Sequence, residues 1–434
     1  MTTPTIKILK FGGASIKDAP SIHNVVEILR TYKGEPIVVI ISAMGKTTNA
    51  LEGIVKGYYS RSRDSVELLL ALKHEHFKVL KELFREVDHP IFDEVNNTFV
   101  EIDWILEDSP HEKYDYLYDQ IVSVGEMVAS KIVSAYLNYK NISTRWLDVR
   151  DCIRTDSTYR EGKVLWAETE TKIIKTVPPL LSGHFLITQG FLGGTSENAT
   201  TTLGREGSDY SAAIFAYALN AESVIIWKDV PGVLNADPRY FPEAKKIDCL
   251  SYREAIEIAY YGASVIHPKT IKPLQNKKIS LYVRSFINPA AEGSLISELS
   301  PEFLPPILVL KQNQILISME VKDFSFIAEE NLSQIFYLFS RHRVKVNLMQ
   351  NAAISFSVCC DHDEKIEPII RELSEGFVVK SNHKLELLTI RHYTEDVINK
   401  YSVGKEILLE QKSRQTVQLV LRHGTDESNS ASNT

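Results

Sequence analysis

Short, almost wholly apolar runs that alternate with stretches of helical periodicity limit most strongly the folds open to this chain. Ile6 to Leu9, Ile37 to Ile41, Arg145 to Val149, Phe185 to Gln189, Val224 to Trp227 and Ile279 to Val283 have strand length and strand composition. Between them, Ile22, Val25, Val26 and Leu29 recur at helical spacing, with Asp18 placed to cap the helix start and Gly34 to stop it. Strands that alternate with helices predict an α/β fold: a largely parallel sheet in the middle of three layers, covered by helices on both faces. Ligands of such sheets sit beyond the carboxyl ends of the strands, so the loops leaving those ends are where chemistry is to be sought.

Two features break the rhythm. Residues 50–138 carry a helical pattern, including Val66 to Phe84 and Tyr116 to Leu137, and read as a helical insertion closing over the sheet; a structureless loop of that length is uncommon in a compact domain. At Pro305-Pro306 neither a helix nor a central strand continues well, which marks a domain boundary. Strands expected at 314–321, 344–350, 353–360 and 376–380, with helices at 328–342 and 363–374, give the β-α-β-β-α-β order of a ferredoxin-like α+β unit. A strand at 384–391, a helix at 394–411 and a strand at 415–421 then form a shortened second unit. The expected division is 1–300, 307–383, 384–424 and a disordered polar tail at 425–434.

Composition narrows the class further. A chain of 434 residues with 44% apolar content can bury two or three cores. The net charge of -7 offers no basic field for nucleic acid or an anionic membrane. No apolar run reaches the roughly 20 residues of a membrane helix, and the opening Met1-Thr2-Thr3-Pro4 runs straight into a strand, so a cytoplasmic protein is expected. Cys152, Cys249, Cys359 and Cys360 lack C-x-x-C spacing, which indicates neither a zinc site nor a disulfide framework. No residues are expected to ligate a metal directly.

The strand exits carry the chemistry. Leu203-Gly204-Arg205-Glu206-Gly207-Ser208-Asp209-Tyr210 sets a cation, an anion and two glycines where a strand gives way to a helix. Arg205 offers a two-pronged donor for a carboxylate. Asp209 falls in the first helical turn, with Ser208 as the expected cap, where it can orient Lys10 or a substrate amine. An Asp209 that merely offsets the helix dipole and a surface ion pair for Arg205 are the plainer readings. The glycine-rich strand exit Gly190-Phe191-Leu192-Gly193-Gly194 weighs against them. Lys10-Phe11-Gly12-Gly13 ends the first strand, so its backbone N–H groups and ammonium suit phosphate, though a G-G pair alone also marks a tight turn. Ser42-Ala43-Met44-Gly45-Lys46-Thr47-Thr48-Asn49 offers a second anion cradle, or ordinary capping by Thr47 or Thr48. Glu126, beside Gly125, can receive an ammonium, or lie on a solvated helix face. Lys228 and Arg239 can meet phosphates while Leu234 packs on a base; the P-G and D-P pairs around them also mark turns. His267, before Pro268, reads as a hydrogen-bonded structural residue.

These segments, in this order, resemble the aspartate kinases of the amino acid kinase superfamily over roughly residues 5–300, and less closely a region like the family's paired ACT domains beyond. Lys-Phe-Gly-Gly, Ser-Ala-Met-Gly-Lys-Thr-Thr-Asn, Gly-Glu-Met, Thr-Gln-Gly-Phe, Thr-Thr-Thr-Leu-Gly-Arg-x-Gly-Ser-Asp, Asp-Val-Pro-Gly and Asp-Pro-Arg carry the resemblance. It implies the three-layer amino acid kinase fold and transfer of the ATP γ-phosphate to the side-chain carboxylate of L-aspartate with Mg²⁺, giving 4-phospho-L-aspartate, the first step toward lysine, threonine and methionine. By matched position Lys10 and Asp209 would be catalytic, and Ser42, Thr48, Glu126, Phe191, Arg205 and Ser208 would hold aspartate. Lys10, Phe11, Gly12, Gly13, Lys228, Asp229, Leu234, Arg239 and Ser264 would surround ATP. Lys228 stands where many members have Thr, Leu234 where Tyr is common, and Ser264 where a Lys often reaches the nucleotide. Val346-Asn347-Leu348 and Ala352-Ala353-Ile354-Ser355 lack the acidic and hydroxyl groups of the family's effector loop, so weak or absent lysine inhibition is expected. A homodimer or higher oligomer through the C-terminal region is implied too. Another superfamily kinase and a non-catalytic amino-acid sensor are the competing readings.

Overall fold

The computed structural model describes residues 5–62, 64–86, 88–263, 266–322 and 326–423. The chain divides into two compact units. The first takes the chain to Val233, Lys246–Ile256 and the stretch ending at Pro301; the second takes Leu234–Lys245, the stretch from Glu257, and the chain from Glu302.

An eight-stranded sheet forms the middle of the first unit. Lys7–Phe11 lies at its centre, between Ile37–Ile41 and Ser223–Lys228, both parallel to it. Phe185–Gln189 and Thr144–Leu147 extend the sheet beyond Ile37–Ile41; Ser280–Ser285 extends it on the other side. Ser294–Ser297 runs antiparallel to Ser280–Ser285, and Cys249–Ser251 completes that edge. The central strands are buried along their length, as continuous runs such as Ile37-Val38-Val39-Ile40-Ile41 require when helices cover both faces. The expected start of the first helix holds: Asp18 accepts a 2.8 Å hydrogen bond from the Ser21 N–H and caps Ala19–Arg30.

Helices Thr47–Tyr59, Asp64–Leu83, Ile91–Glu107, Tyr114–Val122 and Val124–Tyr139 make up the insertion. The helical pattern read over Tyr116 to Leu137 is divided at Ser123, whose hydroxyl donates back to the Gln120 carbonyl at 3.0 Å. Leu51, Ile54, Leu69, Leu80, Phe99, Ile121 and Ile132 join the strands' Leu9, Val39 and Ile41 in one core.

The second unit is a six-stranded antiparallel sheet with helices. Two fifteen-residue strands, Ile307–Val321 and Phe377–Arg391, pair along their whole length. The sequence places the first of these strands at 314; it starts at Ile307, directly after the two prolines, and Asn313 at φ 52° marks an irregularity within it. Position 383/384 therefore falls inside a strand shared by both halves of the sheet. Helices Glu329–Arg341 and Ile366–Gly376 cover one half, packing Phe339 and Leu373 onto the strands' Ile315, Ile317 and Val358. A helix over 394–411 does not form. Glu395–Ser402 is helical, Gly404 at φ 75° ends it, and Lys405–Lys412 is a strand paired with Thr416–His423. The tail expected from 425 lies outside the described residues.

Candidate functional site

Strand register decides which loops meet. Lys10 lies opposite Ile40 on one side and Ile226 on the other, and Ile41 lies opposite Gln189. Gly12, Ser42, Gly190 and Lys228 therefore leave the sheet along one carboxyl edge, as the alternating pattern requires.

Lys10 is buried at the end of its strand, and its Nζ stands 2.7 Å from Asp209 Oδ1. Lys228 Nζ approaches the other oxygen, Oδ2, at 3.5 Å. Burial alone would raise the Asp209 carboxyl; the two ammoniums outweigh it and hold the group below the usual carboxylate range. Asp209 thus orients two cations at the mouth of the first glycine turn. Gly13 cannot carry a side chain there, because a Cβ would stand 2.8 Å from the Ala43 carbonyl oxygen and 2.9 Å from that of Gly45. Its own carbonyl accepts the Gly45 N–H at 3.1 Å, which joins the two expected cradles directly.

The second cradle differs from its expected capping. Lys46 occupies the cap position of Thr47–Tyr59 and supplies no side-chain cap. Thr47 points instead into the insertion, 3.3 Å from His76 Nε2, while His76 Nδ1 lies 2.8 Å from the Leu72 carbonyl. Burial drives the His76 pKa down to about 4, so the ring is neutral. The helix start therefore keeps N–H groups for a ligand, with Ser42 and Thr48 half-buried beside it.

Glu126 is not on a solvated face; it is 3% exposed. Its Oε1 accepts the Ala43 N–H at 3.2 Å, and its Oε2 is buried with no hydrogen-bond partner. Burial pushes its pKa up to about 8, against the Ala43 N–H and the Lys10 ammonium, which pull it down. Gly125 allows this depth: a Cβ there would stand 2.9 Å from Thr47 Cγ2 and 3.1 Å from Ala43 Cβ. A buried carboxyl with one open oxygen is a receptor for a cationic group.

Arg205 is exposed at the head of Gly207–Leu219. Ser208 does not cap this helix: the cap position is Glu206, at φ 53° with no side-chain cap, and Ser208 lies inside the helix. Ser208 instead packs against Gly190, where a Cβ would stand 2.5 Å from its own Cβ. Phe191 is left-handed at φ 69°, and its N–H donates to Ser211 Oγ at 3.0 Å, so this strand exit is fixed onto the same helix. The segment before Arg205 is anchored by Asp119, which accepts the Thr202 hydroxyl at 2.7 Å and the N–H groups of Thr202 and Arg160, each at 2.9 Å. Burial lifts Asp119 to about 6 against these donors.

Asp229 is exposed just past its strand. Leu234 and Arg239 belong to the second unit, where Arg239 forks onto Asp237 with Nε–Oδ1 at 3.0 Å and Nη2–Oδ2 at 2.6 Å. Ser264 lies outside the described residues. His267 is structural, as expected: it caps Pro268–Lys277, and its Nδ1 accepts the Lys269 N–H at 3.2 Å. Sequence reasoning missed Glu206 and Asp119. The acid between Arg205 and Gly207 was the signal for the first, and seven-residue spacing from Glu126 the signal for the second.

The amino acid kinase family model matches residues 5–285. Lysine-sensitive aspartokinase 3 of Escherichia coli is 30% identical over 414 residues, covering 93% of this chain and 90% of the relative. Aspartokinase 1, chloroplastic, of Arabidopsis thaliana is 29% identical, covering 86% and 68%. Among solved structures, E. coli aspartokinase III in complex with aspartate and ADP (R-state) superposes with a TM-score of 0.82 at 27% identity, covering 96% of each chain. The same enzyme in complex with lysine and aspartate (T-state) gives 0.80 at 27% identity. Fold, motif order and match length agree: this chain belongs to the amino acid kinase family, among its aspartokinases.

Proposed function

We propose that the protein phosphorylates the side-chain carboxylate of L-aspartate at the expense of ATP, yielding 4-phospho-L-aspartate and ADP. The observation that carries the reading is the pairing of a buried, half-satisfied Glu126 with the Lys10–Asp209–Lys228 cluster on one sheet edge. Glu126 would take the substrate ammonium, and Arg205 its α-carboxylate by a two-pronged contact. Ser42, Thr48, Phe191 and Ser208 would line the acceptor. Gly12, Gly13 and Lys10 would hold the terminal phosphates, with Lys228 beside them and Phe11 beneath. Asp229, Leu234, Arg239 and Ser264 remain proposed nucleotide contacts.

Phosphoryl transfer asks the protein for alignment and charge neutralisation, not a covalent nucleophile. The acceptor oxygen attacks the γ-phosphorus while Lys10 neutralises charge gathering on the equatorial oxygens, and Asp209 keeps that ammonium aimed. Among the described residues no group of three His, Cys, Asp or Glu side chains could cage a metal. Mg²⁺ would enter on the nucleotide's phosphates, with water completing its shell. Residues to about 300 would supply catalysis, and the rest would regulate it and pair two chains in the cytoplasm. Among the described residues, no helix is long and apolar enough to cross a membrane.

The test is ADP release in a coupled assay. Aspartate should support turnover and acetylglutamate should not. Turnover with acetylglutamate alone would assign a different acceptor, and none with either, a sensor.

A further inference from the structure

We propose that Asp119 is a positioning residue for the acceptor amino acid, holding the Arg205 backbone at a fixed reach from Glu126; the inference rests on the kinase reading above. Asp119 and Glu126 are seven residues apart, on Tyr114–Val122 and Val124–Tyr139. Ser123 between them is itself helical, at φ -58° and ψ -28°. Backbone bonds run through the junction, from the Ser123 N–H to the Asp119 carbonyl at 3.3 Å and from the Met127 N–H to the Ser123 carbonyl at 3.2 Å. Seven residues make close to two helical turns, so both carboxyls leave one side of the same segment. One is the proposed ammonium receptor. The other grips the chain that leads to the proposed carboxylate receptor.

Asp119 is 0% exposed, a depth at which a carboxyl needs partners. Its Oδ1 takes the Thr202 hydroxyl, and its Oδ2 takes the N–H groups of Thr202 and Arg160. Gln120, next along the helix, brackets Thr200: it accepts the Thr200 N–H at 3.2 Å and donates to the Thr200 carbonyl at 2.9 Å. Thr200–Thr202 lies in a two-stranded sheet with Leu192–Gly194, so on its other edge helix side chains take the place of a neighbouring strand. The same carboxylate fixes the turn that Gly204 meets. The Gly162 N–H donates to the Thr202 carbonyl at 2.8 Å, and a Cβ on Gly204, at φ 76°, would stand 3.2 Å from the Arg160 carbonyl oxygen. Asp119 thus holds both the strand that enters Gly204 and the turn that presses on it. Arg205 follows directly and is exposed, so the reach of its guanidinium is set by this backbone. Asp119 touches no substrate in this scheme; it acts through Arg205. An anchor that served folding alone would lower stability without sorting one substrate from the other.

The experiment is initial-rate kinetics of the full chain, with aspartate and ATP varied in turn. Asp119→Ala should raise the aspartate KM about tenfold or more, the scale on which a small misplacement of a binding group is felt, and leave kcat and the ATP KM within about twofold of the parent. Asp119→Asn should recover most of the loss, because its oxygen can face the two N–H groups and its NH2 the Thr202 hydroxyl. Thr202→Val, which removes only the hydroxyl, should raise the aspartate KM about threefold or more, and Thr202→Ser should match the parent. If Asp119→Ala does not fold, the Thr202 pair carries the same prediction by itself. In an Arg205→Met background, where kcat/KM is read from rates below saturation, Asp119→Ala should cost about twofold or less. An unchanged aspartate KM in the Asp119→Ala and Thr202→Val variants, a loss shared equally by the ATP KM, or a full Asp119→Ala effect without Arg205 would overturn the proposal while leaving the kinase reading intact. A parent chain that does not turn over aspartate would overturn both.

Discussion

Glu126 offers the sharpest test, because its protonation should be visible in how the protein takes up aspartate. Burial holds its pKa at about 8, so at pH 7 the carboxyl is largely protonated. An ammonium placed against the open Oε2 favours the ionised form. Binding must then release a proton, and affinity must rise with pH. If only the ionised form binds, the apparent dissociation constant is multiplied by one plus ten to the power of pKa minus pH. That factor is about 2 at pH 8, about 11 at pH 7 and about 100 at pH 6. The aspartate KM should therefore fall steeply between pH 6 and 8 and flatten above.

Calorimetry in two buffers of different ionisation enthalpy should register the released proton near pH 7. Glu126→Gln should flatten the profile and raise the aspartate KM by roughly 10- to 100-fold, the value of a charge-assisted contact. Stability should move the opposite way. The unfolded chain loses this proton near the ordinary 4.5 while the folded chain keeps it to about 8, so the acid destabilises the empty protein increasingly as pH rises through that window. Glu126→Gln should then melt higher than the parent at pH 8 without ligand. A pH-independent aspartate KM with no proton released would refute the assignment.

Other perturbations reach different parts of the site. Lys10→Met should lower kcat by about a hundredfold or more, since it removes a preorganised charge aimed at the transferred group; single-turnover phosphorylation reads this directly, and a wild-type rate would remove Lys10 from the chemistry. Lys228→Thr should raise the ATP KM clearly and leave the aspartate KM nearly unchanged; an unaltered ATP KM would discard its phosphate role. Gly125→Ala should destabilise by about 1–3 kcal/mol through overpacking against Thr47, Ala43 and Leu51; urea unfolding checks this, and unchanged stability would show that the helix yields freely. Lysine at millimolar concentration should inhibit little, because Asn347 is engaged with Lys311, Gln314 and Asp361 side chains. Strong inhibition in the kinase assay would refute that.

The parts of this molecule legible in the sequence were those fixed by short-range rules. Five-residue apolar strands, the Asp18 cap and the glycine turns each carry their own local signature, and strand alternation then fixes which turns share an edge. What was not legible depends on partners distant in the chain. Gly404 offered the same local stop as Gly34, but nothing near it showed that a strand would follow, because Lys405–Lys412 is held by its pairing with Thr416–His423. Ser208 looked like a cap because Ser commonly caps helices; the structure gives that position to Glu206 and presses Ser208 onto Gly190, a contact across the fold.

The same contrast explains why the site is costly to build and is kept. Buried ionisable groups, here Lys10, Glu126 and Asp209, oppose folding unless each finds a partner. Lys10 and Asp209 offset one another's charge as an ion pair, whereas Glu126 has no ion-pair partner and holds a proton instead. Ligand binding should therefore be felt most at Glu126: aspartate supplies the missing cation, and the energy withheld by a lone buried carboxyl is returned on binding. By this argument aspartate alone, with no nucleotide, should raise the melting temperature of the parent measurably, and by much less in Glu126→Gln. Equal shifts in the two proteins would show that the ammonium is recognised elsewhere.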